Sequence, residues 1–166
     1  GFARPVLHPK STTLARELTK VFRQEKLLGR GEDAIKRHKV VRNFPISSDG
    51  SLRADFAAKN NKMHITETVD LRTHNELTAA RLKDVAVAAV TLAEARRKFG
   101  SRRTERYFVY AATAADENHA KGYLEAAGHN AEHIFNFATR QDRASYFDFI
   151  IGALRVDLAA RARQRP

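Results

Sequence analysis

The run Met63–Leu71 (MHITETVDL) constrains this chain more than any other stretch. Successive side chains of an extended chain point to opposite sides. Met63, Ile65, Val69 and Leu71 therefore share one face, and His64, Thr66, Thr68 and Asp70 share the other. One residue breaks the pattern: Glu67 falls among the apolar members. A carboxylate in such company is costly unless a cation, a raised pKa or a metal ion compensates it.

Two further extended runs come first. His38–Ile46 (HKVVRNFPI) ends in the turn signal SSDGS, and Leu52–Lys59 (LRADFAAK) ends at Asn60-Asn61, so a three-strand meander is expected. Upstream, a helix is predicted over 12–28 with Ser11 as its cap, stopped by Gly29 and Gly31. Downstream, a helix is predicted over Asn75–Phe99. Its centre, LKDVAVAAVTLA, is apolar most of the way round, which predicts burial against the sheet. A strand at Tyr107–Ala112, a short helix at Asp116–Ala127, a strand at Ile134–Ala138 and a last helix at Gln141–Ala162 complete the chain. The apolar spacing of Tyr146, Phe147, Phe149 and Ile150 reads as core packing. The order α-β-β-β-α-β-α-β-α predicts an α/β fold: a mixed central sheet, built from the meander plus β-α units, flanked by helices. At 166 residues one domain is expected. It spans 11–154, after a flexible arm at 1–10 with two prolines and before a basic tail at 155–166.

The chain has no cysteine, which excludes disulfide scaffolds, iron–sulfur clusters and thiol catalysis. No apolar run approaches the roughly 20 residues of a membrane span, and no secretory apolar segment is evident. A cytoplasmic location without membrane contact is therefore expected. The chain opens on Gly rather than Met, as an excised or processed domain would.

Charge is distributed in blocks. The net is +11, with +7 over 1–42, +5 over 96–106 and a middle close to neutral. Such a footprint suits a polyanion, and nucleic acid, DNA first, is the expected partner. Arg96, Arg97, Lys98, Arg102, Arg103 and Arg106, with Lys62 and Arg72, are the candidate phosphate contacts.

Asp55 lies in the middle of the second run, as Glu67 does in the third. Two acids on adjacent strands can share one divalent cation when they sit opposite each other, and register decides whether they do. A three-residue loop at Asn60–Lys62 pairs Lys59 with Met63 and Asp55 with Glu67. A two-residue loop at Asn60-Asn61 sends the two acids to opposite faces. The hydrophobic pattern alone favours the two-residue loop, because it groups Leu52, Ala54 and Phe56 with Ile65, Val69 and Leu71. The three-residue loop requires a bulge near the turn or a sheet covered on both faces.

In its element order over about 12–138, and in the acids of ADFAAKN and HITETVD, the chain resembles the PD-(D/E)XK nuclease superfamily. That resemblance implies a restriction-endonuclease-like fold and hydrolysis of phosphodiesters with Mg (or Mn). Asp55 and Glu67 match the metal-holding acids, and Glu17 matches an acid that sometimes joins from the first helix. The family's lysine, two residues after the Glu, is replaced here by Val69. Lys59, Lys62 and Lys83 are the substitutes weighed for its role, with Lys59 and Lys83 as candidate catalytic residues. The departure leaves two forms open, a metal-dependent nuclease or a degenerate relative that binds without cutting. The alternative is a protein-interaction module, such as an inhibitor or accessory factor of a phage or bacterial conflict system. The pattern H-x-x-E-H at His129–His133 matches an inverted zinc-peptidase motif, but Gly128 and Asn130 predict a turn where that motif needs a helix.

Overall fold

The computed structural model describes residues 9–72 and 79–164, with side chains as far as Arg155. The chain forms an α/β fold around a five-stranded mixed sheet in the order β1-β2-β3-β4-β5. The strands are β1 (Val41–Pro45), β2 (Arg53–Lys59), β3 (Met63–Asp70), β4 (Thr104–Ala111) and β5 (His133–Asn136). Helices α1 (Thr13–Gln24), α2 (Ala79–Phe99), α3 (Ala114–His119), α4 (Lys121–Gly128) and α5 (Arg140–Gln164) surround it. The first three strands are antiparallel, whereas β3–β4 and β4–β5 are parallel. Among the described residues no helix is long and apolar enough to cross a membrane.

Element boundaries shift from expectation for local reasons. Thr12 rather than Ser11 caps α1, its hydroxyl accepting from the Ala15 amide at 3.2 Å. Lys26, at φ 58°, ends that helix before Leu28. His38, also left-handed at φ 60°, closes a 3-10 turn at Glu32–Arg37 and delays β1 to Val41. The helix expected over Asp116–Ala127 is two pieces, with Ala120 buried at the joint. Residues 73–78, the expected start of the long helix, lie outside the described residues, as does most of the arm. Residues 155–164 continue the backbone of α5.

Both faces of the sheet are covered, so both parities of β3 are buried. On one face Ile65, Val69, Leu71 and Phe108 pack against Val85, Ala88 and Leu92 of α2 and Leu124 of α4. On the other, Phe56, Tyr107, Val109 and Phe135 pack against Leu14, Leu18 and Phe22 of α1 and Tyr146, Ile150 and Leu154 of α5. The polar face of β3 thus requires internal partners, as buried polar groups do. Thr66 meets the Tyr146 hydroxyl at 2.8 Å and His64 meets that of Tyr107 at 2.9 Å.

Two packing expectations need correction. Only one stripe of α2 is buried, and Val87 and Val90 are about half exposed. The sheet is flat to a helix and can cover one side of it, whatever the composition of the other. Phe149 is likewise half exposed, resting on the His133 ring, while Tyr146 and Ile150 reach the core.

Candidate functional site

The turn after β2 sets the register of the acids. Asn60 donates its amide to the Lys62 carbonyl at 3.0 Å, and its side-chain oxygen accepts from the Lys62 amide at 2.8 Å. His64 Nε2 lies 3.0 Å from the same oxygen. This side chain stabilises a three-residue loop, as Asn does in turns. Lys59 therefore pairs with Met63, and Phe56 with Thr66. The hydrophobic pattern is overruled because Phe56 has a core of its own to enter on the second face.

Beyond the Phe56–Thr66 pair the ladder gives way to side chains. The Asp55 amide donates to Glu67 Oε1 at 3.1 Å, and the Thr68 amide donates to Asp55 Oδ2 at 2.7 Å. Each carboxylate thus takes a backbone donor from the opposite strand, and the two acids meet in a fork between β2 and β3. The Thr68 hydroxyl adds a bond to Asp55 Oδ2 at 2.8 Å. A cavity of about 140 Å³ opens on the pair, lined by Lys10, Arg53, Asp55, Glu67 and, from α2, Val87 and Thr91.

The lysine of this site comes from the arm. Lys10 Nζ lies 2.8 Å from Asp55 Oδ2 and 3.5 Å from Glu67 Oε2, and donates to the Thr68 carbonyl at 2.8 Å. Glu67 is almost fully buried, the Asp55 side chain is 9% exposed and that of Lys10 32%. Burial, then the neighbouring Asp55 charge, pushes the Glu67 pKa well above the usual carboxylate range, against the pull of Lys10. Burial also disfavours the Lys10 ammonium, but Glu67 and then Asp55 outweigh it and hold its pKa above the ordinary lysine value. Arg42 clasps the arm by donating to the Lys10 carbonyl at 2.9 Å.

The other expected residues lie elsewhere. Lys59 is exposed at the turn end of β2, and Lys83 is exposed on α2. Lys62 pairs with Glu105 at 3.0 Å. Glu17 does not join the acid pair: it meets Arg72 at 3.3 Å, and Arg72 also holds Asp70 at 3.0 Å. Arg72 is therefore engaged at the far end of β3. Arg106 is buried rather than solvent-facing, bonded to Glu132 at 2.9 Å and to the Leu92 carbonyl at 3.2 Å. Arg96, Arg97, Lys98, Arg102 and Arg103 are exposed, with Arg97 paired to Glu94 and Lys98 over the Phe99 ring. This block sits at the hairpin end of β3, where Thr104 pairs with Met63. Glu67 is four residues further along, roughly 13 Å at normal strand rise. His129, Glu132 and His133 do not converge: Glu132 holds Arg106, while His133 stacks on Tyr107 and bonds Glu105.

Sequence reasoning missed Lys10, and no local signal marks it. Its position follows from α1 docking on β3, where the Leu14 amide donates to Asp70 Oδ2 at 3.0 Å. The residues just ahead of α1 are thereby delivered to the fork. A larger cavity, about 770 Å³, lies at the C-terminal ends of β4 and β5 between Tyr110, Glu117, Leu124 and Ile134. Its central polar group is already engaged: Asn136 bonds both backbone groups of Ala112 and the Glu117 carboxylate.

The donor set at the fork suits a hard cation. Two carboxylates and a backbone carbonyl converge there, and Mg²⁺ is commonly held by one or two carboxylates with water completing its shell. Among the described residues no group of three or more His, Cys, Asp or Glu side chains is assembled for a metal ion. In comparisons with known proteins, no family model, no curated protein and no solved structure matches this chain.

Proposed function

We propose that this chain is a nucleic-acid-binding domain of the PD-(D/E)XK nuclease type, in which Asp55 and Glu67 hold a divalent cation for phosphodiester hydrolysis. One observation carries the reading. Two acids from neighbouring strands, separated by eleven residues of sequence, meet in a fork where each replaces a ladder hydrogen bond of the other strand. Bringing two buried carboxylates together is unfavourable without a cation, so a fold that does so is built around positive charge.

A Mg²⁺ or Mn²⁺ ion bound there would lower the pKa of a water and offset charge on the phosphate. The protein's own groups supply the rest. Asp55 is held in position by the Thr68 amide and hydroxyl. Glu67 is fixed by the Asp55 amide. Arg53, on the cavity wall with its guanidinium held by the Gly50 and Asn43 carbonyls, adds positive charge beside the site. The exposed Arg102 and Arg103 immediately precede Thr104, which pairs with Met63, so a bound strand that reaches them from the fork runs along β3 toward its hairpin end. The basic block then tracks the backbone and carries no sequence preference of its own.

The test is cleavage of plasmid and single-stranded DNA and of RNA with Mg²⁺ or Mn²⁺, using wild type, Asp55→Ala and Glu67→Ala, each checked for folding by circular dichroism. Metal-dependent cleavage lost in both variants is the expected result. Salt-sensitive binding without cleavage would identify the degenerate form. No binding and no cleavage with any metal would refute the reading and favour a protein partner for the basic surface.

A further inference from the structure

We infer that Lys10 is the resident counter-cation of the Asp55–Glu67 fork, and that a divalent ion enters only by displacing its ammonium. This rests on the cation reading of the fork given above.

The geometry is that of a filled cation seat. A lysine ammonium has three N–H donors and no acceptor. Three oxygens surround this one: Asp55 Oδ2 and the Thr68 carbonyl at 2.8 Å each, and Glu67 Oε2 at 3.5 Å. An ion shared by the two carboxylates needs the space that this nitrogen takes. A lysine that only ordered a water beside a bound ion would stand off from the carboxylates and approach the water. Lys10 instead bridges both acids.

The described residues around Lys10 can withdraw without disturbing the elements beside them. Residues 9–11 have no regular secondary structure. The helix that follows is secured independently of them. Thr12 caps it, and Asp70 anchors the Leu14 amide. Withdrawal of Lys10 therefore leaves α1 and the sheet in place. Among the described residues, Arg42 also clasps the Lys10 carbonyl. That clasp is imperfect: among the described residues, the Arg42 Nε is buried without a hydrogen-bond partner, and such a donor carries its full desolvation cost. A divalent ion that neutralises the fork itself removes the reason to keep the Lys10 ammonium there. Once released, the ammonium remains tethered two residues from the α1 cap, close enough to meet a phosphate at the fork.

The experiment measures Mn²⁺ binding to the whole chain without nucleic acid, from the electron paramagnetic resonance signal of free Mn²⁺. Wild type is compared with Lys10→Met, with Lys10→Gln, which keeps a hydrogen-bond donor without the charge, and with each combined with Asp55→Asn. The expected result is at least a tenfold lower Kd in both Lys10 variants, abolished by Asp55→Asn. Should Asp55-dependent binding be unchanged or weaker in the Lys10 variants, the lysine is no competitor and the inference falls while the cation site stands. Should no variant bind Mn²⁺ in an Asp55-dependent way, the cation reading falls and the inference with it.

Discussion

Removing the Lys10 charge and the Asp55 carboxylate, singly and together, measures how strongly the fork depends on its counter-cation. At a separation of 2.8 Å, an effective dielectric of about 20 gives a gross attraction of roughly 6 kcal/mol. Three effects reduce it. The lysine side chain is 32% exposed, so water screens it. Both partners lost hydration on folding. Glu67, 3.5 Å from the same nitrogen, keeps part of the attraction when Asp55 is neutralised. A coupling energy of about 2 kcal/mol should survive, within the range seen for directly interacting groups. The assay is urea unfolding at pH 7.5 with a chelator present, on wild type, Lys10→Met, Asp55→Asn and the double variant. Lys10→Met should lose about 3 kcal/mol, since it leaves two carboxylates without their cation, and Asp55→Asn about 2 kcal/mol, since water and Glu67 still meet the ammonium. The double variant should lose clearly less than their sum. Additivity to within about 0.5 kcal/mol is what independent sites give, and it would refute the ion pair as a structural element.

Two further outcomes are expected. Burial holds the His64 pKa down at about 4 against 6.5 unfolded. The unfolded chain therefore binds this proton first as pH falls, and stability present above pH 6.5 is lost progressively toward pH 4. The loss from this residue is about 3 kcal/mol at about 1.4 kcal/mol per pKa unit. Denaturant melts across that window should show His64→Gln with a flatter pH dependence than wild type, and parallel curves would contradict this account. Arg102→Ala with Arg103→Ala should weaken nucleic-acid binding and shallow its salt dependence by about two units of log–log slope. By contrast, Arg106→Met should leave that slope alone and cost roughly 2 kcal/mol of stability, because it removes the partner of a carboxylate that water can still reach. Filter binding across a salt series, paired with urea melts, separates the two kinds of arginine.

Local sequence determined much of this fold. The alternation of Met63–Leu71 marked β3, and the meander with its later β-α units set the order of elements. Asn60-Asn61 marked the turn but not its length. Glu67 was legible as a candidate because a carboxylate among apolar strand neighbours is chemically out of place, whereas its meeting with Asp55 hung on the register. What the sequence left open was which hairpin loop would prevail, and that depended on a second core. Phe56 could abandon the face of Ile65 and Val69 only because α1 and α5 offered it Phe22 and Tyr146. The same dependence hid the buried role of Arg106, since Glu132 lies twenty-six residues away. It hid Lys10 most completely. That lysine lies forty-five positions before Asp55, and its spacing obeys no helical or strand period. Periodicity in a chain reports which side of an element is covered. It carries no record of which distant segment does the covering, and a counter-charge delivered by helix docking exists only once the helix has docked.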